Sequence, residues 1–181
     1  MIYGTKWCAL ESGQEARILQ INFSAAVHRV NHQGILYKVC SVGIGDSVLS
    51  ILTQFSSNRS QNVIVDCCRS KFVNAVSEVP QGGVLGPLLF LLYTSELFSI
   101  LKNKLIGYVD DSTLIAVVTS PGVRATVAES LSSDLVRVSE WGDHWGMKLN
   151  ASKTNSMMVS RSYTLHPQSP VLTIADCAEG V

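Results

Sequence analysis

No sign of charge prevails in this sequence: 14 basic and 14 acidic residues cancel. Nucleic acid is held largely by lysine and arginine contacts to phosphate, so a neutral chain can grip it only through a local patch. Charge is also scarce, at 15% of residues against 46% hydrophobic ones. That balance excludes the composition of a disordered chain. Long apolar runs are missing. The richest, residues 88–92 and their neighbours, falls far short of the ~20 residues of a membrane helix, so no membrane partner is expected. Residues 1–8 lack a basic segment followed by a long apolar one, so no secretory leader is expected either. The five cysteines are odd in number and without metal-type spacing. Reduced thiols in an intracellular setting, cytoplasmic or nuclear, are the expectation. No repeat or low-complexity segment interrupts the chain.

At 181 residues the chain suits one compact domain with a real core. The expected domain is 1–161, followed by a loose polar tail, 162–181, with Pro167 and Pro170. Residues 16–23 read as a strand and 31–42 as a helix. Asp46 reads as the N-cap of a second helix carrying Val48, Leu49, Ile51, Leu52 and Phe55. Residues 61–66 and 72–76 read as a hairpin turning through Cys67-Cys68-Arg69-Ser70. Residues 83–101 read as one buried helix, apolar on most faces. A long helix from about 120 to 145 carries Val123, Val127, Leu131, Leu135 and Val138, and a short strand follows at 157–160. Helices mixed with hairpins, without regular βαβ alternation, predict an α+β domain: helices on one face of a small antiparallel sheet.

Between the expected buried helix and the long one lies Leu105-Ile106-Gly107-Tyr108-Val109-Asp110-Asp111-Ser112-Thr113-Leu114. Two adjacent carboxylates sit at a tight turn between apolar strands. Aspartate is a poor strand former and a good turn former, so a plain surface turn explains the pair. A divalent-metal site explains it equally well. Hard cations such as Mg²⁺ take carboxylate oxygens, and phosphoryl-transfer sites use one or two of them plus substrate phosphates.

The neighbouring boxes decide. Upstream lie Asn22-Phe23-Ser24-Ala25-Ala26-Val27-His28-Arg29-Val30-Asn31-His32 and Val79-Pro80-Gln81-Gly82-Gly83-Val84-Leu85-Gly86-Pro87. Downstream lies Trp145-Gly146-Met147-Lys148-Leu149-Asn150-Ala151-Ser152-Lys153-Thr154. In this order, from about Ala9 to about Ile174, the series resembles the reverse transcriptase of non-LTR (LINE-type) retrotransposons. The resemblance implies the palm of a polymerase, a mostly antiparallel sheet backed by helices. It implies an RNA-directed DNA polymerase working by two-metal nucleotidyl transfer with Mg²⁺ (or Mn²⁺). RNA template, DNA primer and dNTP would be its partners, with no other small-molecule cofactor. Asp110 and Asp111 would be metal ligands, and Lys153 would protonate or orient the departing pyrophosphate. Val27, Pro80, Gln81, Gly82 and Tyr108 would meet nucleotide or template.

Several positions depart from the family pattern. Asn22 stands where the family has its third metal-binding aspartate. Val27 replaces an aromatic residue beneath the incoming sugar, and His28 stands where relatives often carry a second aspartate. Glu78 replaces a glycine. Three changes within seven residues suggest relaxed constraint, and Asn22 alone implies a much weakened polymerase. About 21 residues precede Asn22 and about 20 follow Ser160, too few for the fingers and thumb of a complete element. The resemblance therefore implies a palm fragment. The competing expectation is an inactive relic of a retroelement that keeps only weak nucleic-acid or protein binding.

Overall fold

A computed structural model describes residues 11–161 other than 58, 76, 78–82, 109 and 110; at Tyr108 it describes the backbone alone. The expected tail, 162–181, lies outside the described residues. Strand β1 is Glu15–Asn22, followed by helices α1 (Ala26–Arg29), α2 (His32–Ser41) and α3 (Asp46–Ser56). Four two-residue strands come next: β2 (Ser60–Gln61), β3 (Ile64–Val65), β4 (Cys68–Arg69) and β5 (Val73–Asn74). Then come α4 (Leu85–Thr94), α5 (Leu97–Ile100), β6 (Lys104–Tyr108), β7 (Asp111–Val118), α6 (Arg124–Trp145) and β8 (Asn155–Val159). The described residues form two compact units. The first holds 11–24, 96–108, 111–144 and 148–161; the second holds 25–57, 59–75, 77, 83–95 and 145–147. Among the described residues no helix is long and apolar enough to cross a membrane.

The first unit is built on one antiparallel sheet in the order β6-β7-β1-β8. Residues opposite one another in antiparallel pairs share a face. Leu19 stands opposite Leu114 and Ile21 opposite Ser112, and these four are buried. This is the face α6 covers. Arg124 at the start of α6 pairs with Glu15, its Nε donating to Oε2 at 3.0 Å. Trp141 near the end packs edge-on against Phe23, ring centroids 6.0 Å apart. Helix and strand therefore run side by side in the same direction. The lengths agree: Glu15 to Phe23 spans about 27 Å and Arg124 to Trp141 about 26 Å. Between these ends Leu131, Leu135 and Val138 of the expected stripe are buried, joined by Ala128, whereas Val127 is half-buried and Val123, ahead of the helix, is exposed.

Asp134 sits in that stripe, with none of its side chain exposed. Its carboxylate accepts the backbone N–H groups of Lys102 (3.0 Å) and Asn103 (2.8 Å), the Asn103 side-chain amide (2.8 Å) and Arg137 (2.8 Å). It thereby clamps the two residues that lead into β6.

Three local expectations need correction. Gly45, not Asp46, is the N-cap of α3, and Asp46 is its first residue, where its charge still favours the helix N-terminus. Of the α3 stripe Leu52 is buried, while Val48 and Ile51 are exposed. The single helix expected over 83–101 is broken into α4 and α5. Thr94 and Ser95 hydroxyls bond back to the Phe90 and Leu92 carbonyls at 3.1 and 2.7 Å. Such local bonds compete with the helical ladder. Nor is α4 buried all round: Leu89, Phe90 and Tyr93 are buried, whereas Leu88 and Leu91 are exposed. Finally, the 61–76 hairpin turns at Asp66 and Cys67, with φ 48° and 65°. It does not turn through 67–70, since Cys68 and Arg69 are strand β4, paired with Val65 and Ile64.

Two positive φ values in a row are what a two-residue hairpin loop of type I′ demands, and glycine meets that demand most easily at the second position. Cys67→Gly is expected to stabilise the chain by up to about 1 kcal/mol, because it removes the left-handed strain of a β-carbon. A lower urea midpoint for the glycine variant would refute this.

In the second unit, Gly34 on α2 is pressed against aromatic rings. A β-carbon there would lie 2.8 Å from Tyr93 Cε2 and 3.2 Å from Trp145 Cζ3. Tyr93 is fully buried, and its hydroxyl donates to the Trp145 carbonyl at 2.6 Å, so its ring cannot swing aside. In an open helix Gly→Ala gains about 1 kcal/mol. Here Gly34→Ala is expected to cost about 1–3 kcal/mol through overpacking, read as a drop in urea midpoint. A rise would mean that the rings yield.

Candidate active site

The site is built where β1, β7 and β6 end together. In the sheet register Asn22 is the partner of Asp111, and Asp111 is the partner of Tyr108. The three stand in one row across three strands, and Asn22 and Asp111 lie on the face opposite α6. Next along this face come Gln20, exposed on β1, and its partner Thr113, half-buried on β7. Asn155 of β8, exposed, pairs with Gln20. At this end the face is thus polar and open. Asp111 is exposed and Asn22 half-buried. Among the described residues neither side chain makes a hydrogen bond. Asn22 is the last residue of β1.

A second segment closes the end of β1. The Ser24 N–H donates to the Lys148 carbonyl at 2.7 Å, and the Asn150 N–H donates to the Asn22 carbonyl at 2.8 Å. Phe23 and Leu149 form a bridge between these bonds. Asn150 then caps a single helical turn, Ala151–Lys153, its side chain accepting from the Lys153 N–H at 3.2 Å. Lys153 is exposed on that turn. Asn150 is a site residue to which sequence reasoning assigned no role. Its signal was nonetheless there: an asparagine opening a short polar turn is an N-cap pattern.

The structure brings Asn22, Asp111, Tyr108 and the Lys153 turn to one sheet end. Val27 lies half-buried on α1 in the other unit, with His28 exposed beside it. Asp110, Glu78, Pro80, Gln81 and Gly82 lie outside the described residues. Trp141 and Trp145 pack rather than present a stacking platform: Trp141 is buried and donates to Glu96 at 3.2 Å. Trp145 lies against Tyr93 and Tyr37 and beneath the Lys38 ammonium.

The Asp111 carboxylate and the Asn22 amide offer oxygens that suit a hard cation in kind. They are poor in charge. Among the described residues no cluster of three acidic, histidine or cysteine side chains forms a metal site, and at the row Asp111 stands opposite a neutral amide.

Residues 4–171 match the family model described as reverse transcriptase (RNA-dependent DNA polymerase). The chain is 31% identical over 154 residues to the RNA-directed DNA polymerase from mobile element jockey of Drosophila funebris, covering 80% of this chain and 16% of that protein. It is 27% identical over 167 residues to a probable RNA-directed DNA polymerase from transposon X-element of Drosophila melanogaster, covering 90% and 18%. It thus spans less than a fifth of the length of these relatives. Among solved structures the fold is similar to apo telomerase from Candida tropicalis truncated from its C-terminal domain, with TM-score 0.54 and 11% identity, over 90% of this chain and 35% of that one. It is also similar to telomerase of the same yeast in complex with a fragment of telomeric RNA, with TM-score 0.56 and 12% identity, over 80% and 26%.

Proposed function

The chain belongs to the reverse transcriptase (RNA-dependent DNA polymerase) family, as a domain of the non-LTR retrotransposon kind, and from that premise we propose that its sheet end is a nucleotidyl-transfer site disabled chiefly at Asn22. The α+β fold, a mixed helix and antiparallel-sheet domain of the palm type, is the one the family requires. The single observation that carries the proposal is the register that sets Asn22 directly against Asp111. An aspartate at that position would face its partner carboxylate at the distance of a cross-strand pair, about 5 Å between β-carbons.

Asp110, Asp111 and residue 22 would hold divalent ions. When bound, such ions supply activation of the primer hydroxyl and charge stabilisation at the leaving pyrophosphate. The chain's own residues do the rest. Tyr108, in the same row, would meet the nucleotide. Lys153, on its capped turn, offers an ammonium to the pyrophosphate as charge builds there. Pro80, Gln81 and Gly82 would meet template and nucleotide, and Val27 would leave the sugar pocket looser than an aromatic residue does. RNA template and DNA primer are the partners; with zero net charge, their affinity rests on local lysines and on parts of the longer polymerase.

Template-directed dNTP incorporation on RNA by the Asn22→Asp chain, abolished by Asp111→Asn, would establish the site. Incorporation that survives Asp111→Asn would place the chemistry elsewhere. Asn22 itself favours a second reading, an inactive relic that binds primer–template weakly. That reading predicts binding that falls steeply with salt and no incorporation by the unaltered chain.

A further inference from the structure

Asn150 has no chemistry to offer a nucleotidyl transfer, yet it joins two parts of the site. Its N–H is bonded to the Asn22 carbonyl at 2.8 Å, which ties residue 150 to the end of β1. Its side-chain Oδ1 accepts from the Lys153 N–H at 3.2 Å and from the Ser152 hydroxyl at 2.7 Å. Its carbonyl accepts from the Thr154 N–H at 3.0 Å and the Thr154 hydroxyl at 2.8 Å. Lys153 is exposed, and its ammonium makes no hydrogen bond or ion pair among the described residues. Nothing at the tip of that side chain therefore fixes where it can reach. Its origin is fixed by the backbone of the turn, and the turn is held by Asn150.

We infer that Asn150 is the positioning residue for Lys153: it anchors the lysine's turn to the strand that carries position 22, so that the ammonium reaches the triphosphate from a set distance. This rests on the reading of Lys153 as a pyrophosphate-facing group. An asparagine suits the task because one residue supplies a donor to β1 and a capping acceptor to the turn. Aspartate shares both groups and caps about as well, whereas alanine keeps the first and loses the second.

The test is binding of a fluorescent deoxynucleoside triphosphate in Ca²⁺, with a labelled primer–template measured separately. Both are run on the full chain, its Asn22→Asp variant, and Asn150→Ala, Asn150→Asp, Lys153→Ala and the 150/153 double variant. Asn150→Ala is expected to weaken triphosphate binding about tenfold, the lower end of what losing a partner that orients a metal ligand costs. Primer–template affinity stays unchanged, and Asn150→Asp restores most of the loss. Lys153→Ala weakens triphosphate binding at least as much, and adding Asn150→Ala to it costs nothing more. Equal losses on both ligands, or additive losses in the double variant, overturn the inference and leave the polymerase reading standing. Failure of both the full chain and its Asn22→Asp variant to bind triphosphate removes the polymerase reading, and the inference with it.

Discussion

On the proposed reading, replacing Asn22 by aspartate is expected to raise primer extension on an RNA template by at least ~10²-fold. The magnitude follows from what the position does. Losing one neutral transition-state donor costs ~3 kcal/mol, or ~10²-fold, in enzymes where it has been removed, and a metal-binding carboxylate carries a full charge. The geometry makes the replacement local. Asn22 ends β1, its side chain makes no hydrogen bond among the described residues, and the bond its backbone carbonyl accepts from Asn150 is independent of the side chain. A second readout needs no catalysis. Without metal, the new carboxylate faces Asp111 and the two repel. Added Mg²⁺ should therefore raise the melting temperature of Asn22→Asp more than that of the unaltered chain, since ligand that binds only the folded state stabilises it. Strong extension by the unaltered chain would sink the argument. A metal-dependent melting shift without extension would locate the remaining defect outside the row.

The second large effect is on stability. Asp134→Ala is expected to cost about 3 kcal/mol, because it leaves two backbone N–H groups, one amide and the Arg137 guanidinium without their shared acceptor. For a domain whose whole stability is about 5–15 kcal/mol, that is a large share. The same group gives a pH signature. Burial pushes the Asp134 carboxyl upward. Bonds from Lys102, Asn103 and Arg137 outweigh it and hold the carboxyl below its ordinary 3.8. A depressed folded-state value means that the stabilisation is present above the unfolded value and is lost as pH falls through the folded one. The stability gap between the unaltered chain and Asp134→Asn should therefore be full above about pH 5 and shrink below pH 4. Urea titrations at a series of pH values read it directly. A gap that is independent of pH down to strong acid would refute the assignment.

The apolar patterns were legible and the polar positions were not. The strand at β1, the hairpin of β6 and β7 and the stripe of α6 follow from periodicity alone, because burying those rows drives the fold. The α+β class followed from the mix of hairpins and helices. The break between α4 and α5 was hidden, since Thr94 and Ser95 favour it only through side-chain bonds to particular carbonyls. Asp134 was unreadable for a related reason. A charge inside an apolar stripe looks like an error until the loop it clamps, some 30 residues earlier, is in place. Arg17 and Glu15, buried on β1, raise the same difficulty. At the site, Asp111 and Asn22 were singled out through family boxes. Their opposition across the sheet is a matter of register, which pattern does not specify until both strands are paired.

That register bears on how such a domain loses and regains its chemistry over time. Eight consecutive residues of β1 are paired with eight of β7, and inserting or deleting one residue would turn every following side chain to the opposite face. Substitutions at the strand ends leave the pairing intact. On the proposed reading of position 22, a lineage can therefore shed its metal ligand by a point change while the scaffold persists under the pull of its apolar rows. Asparagine and aspartate codons differ by one nucleotide, so a single reversion would return the ligand to a frame that has kept its alignment.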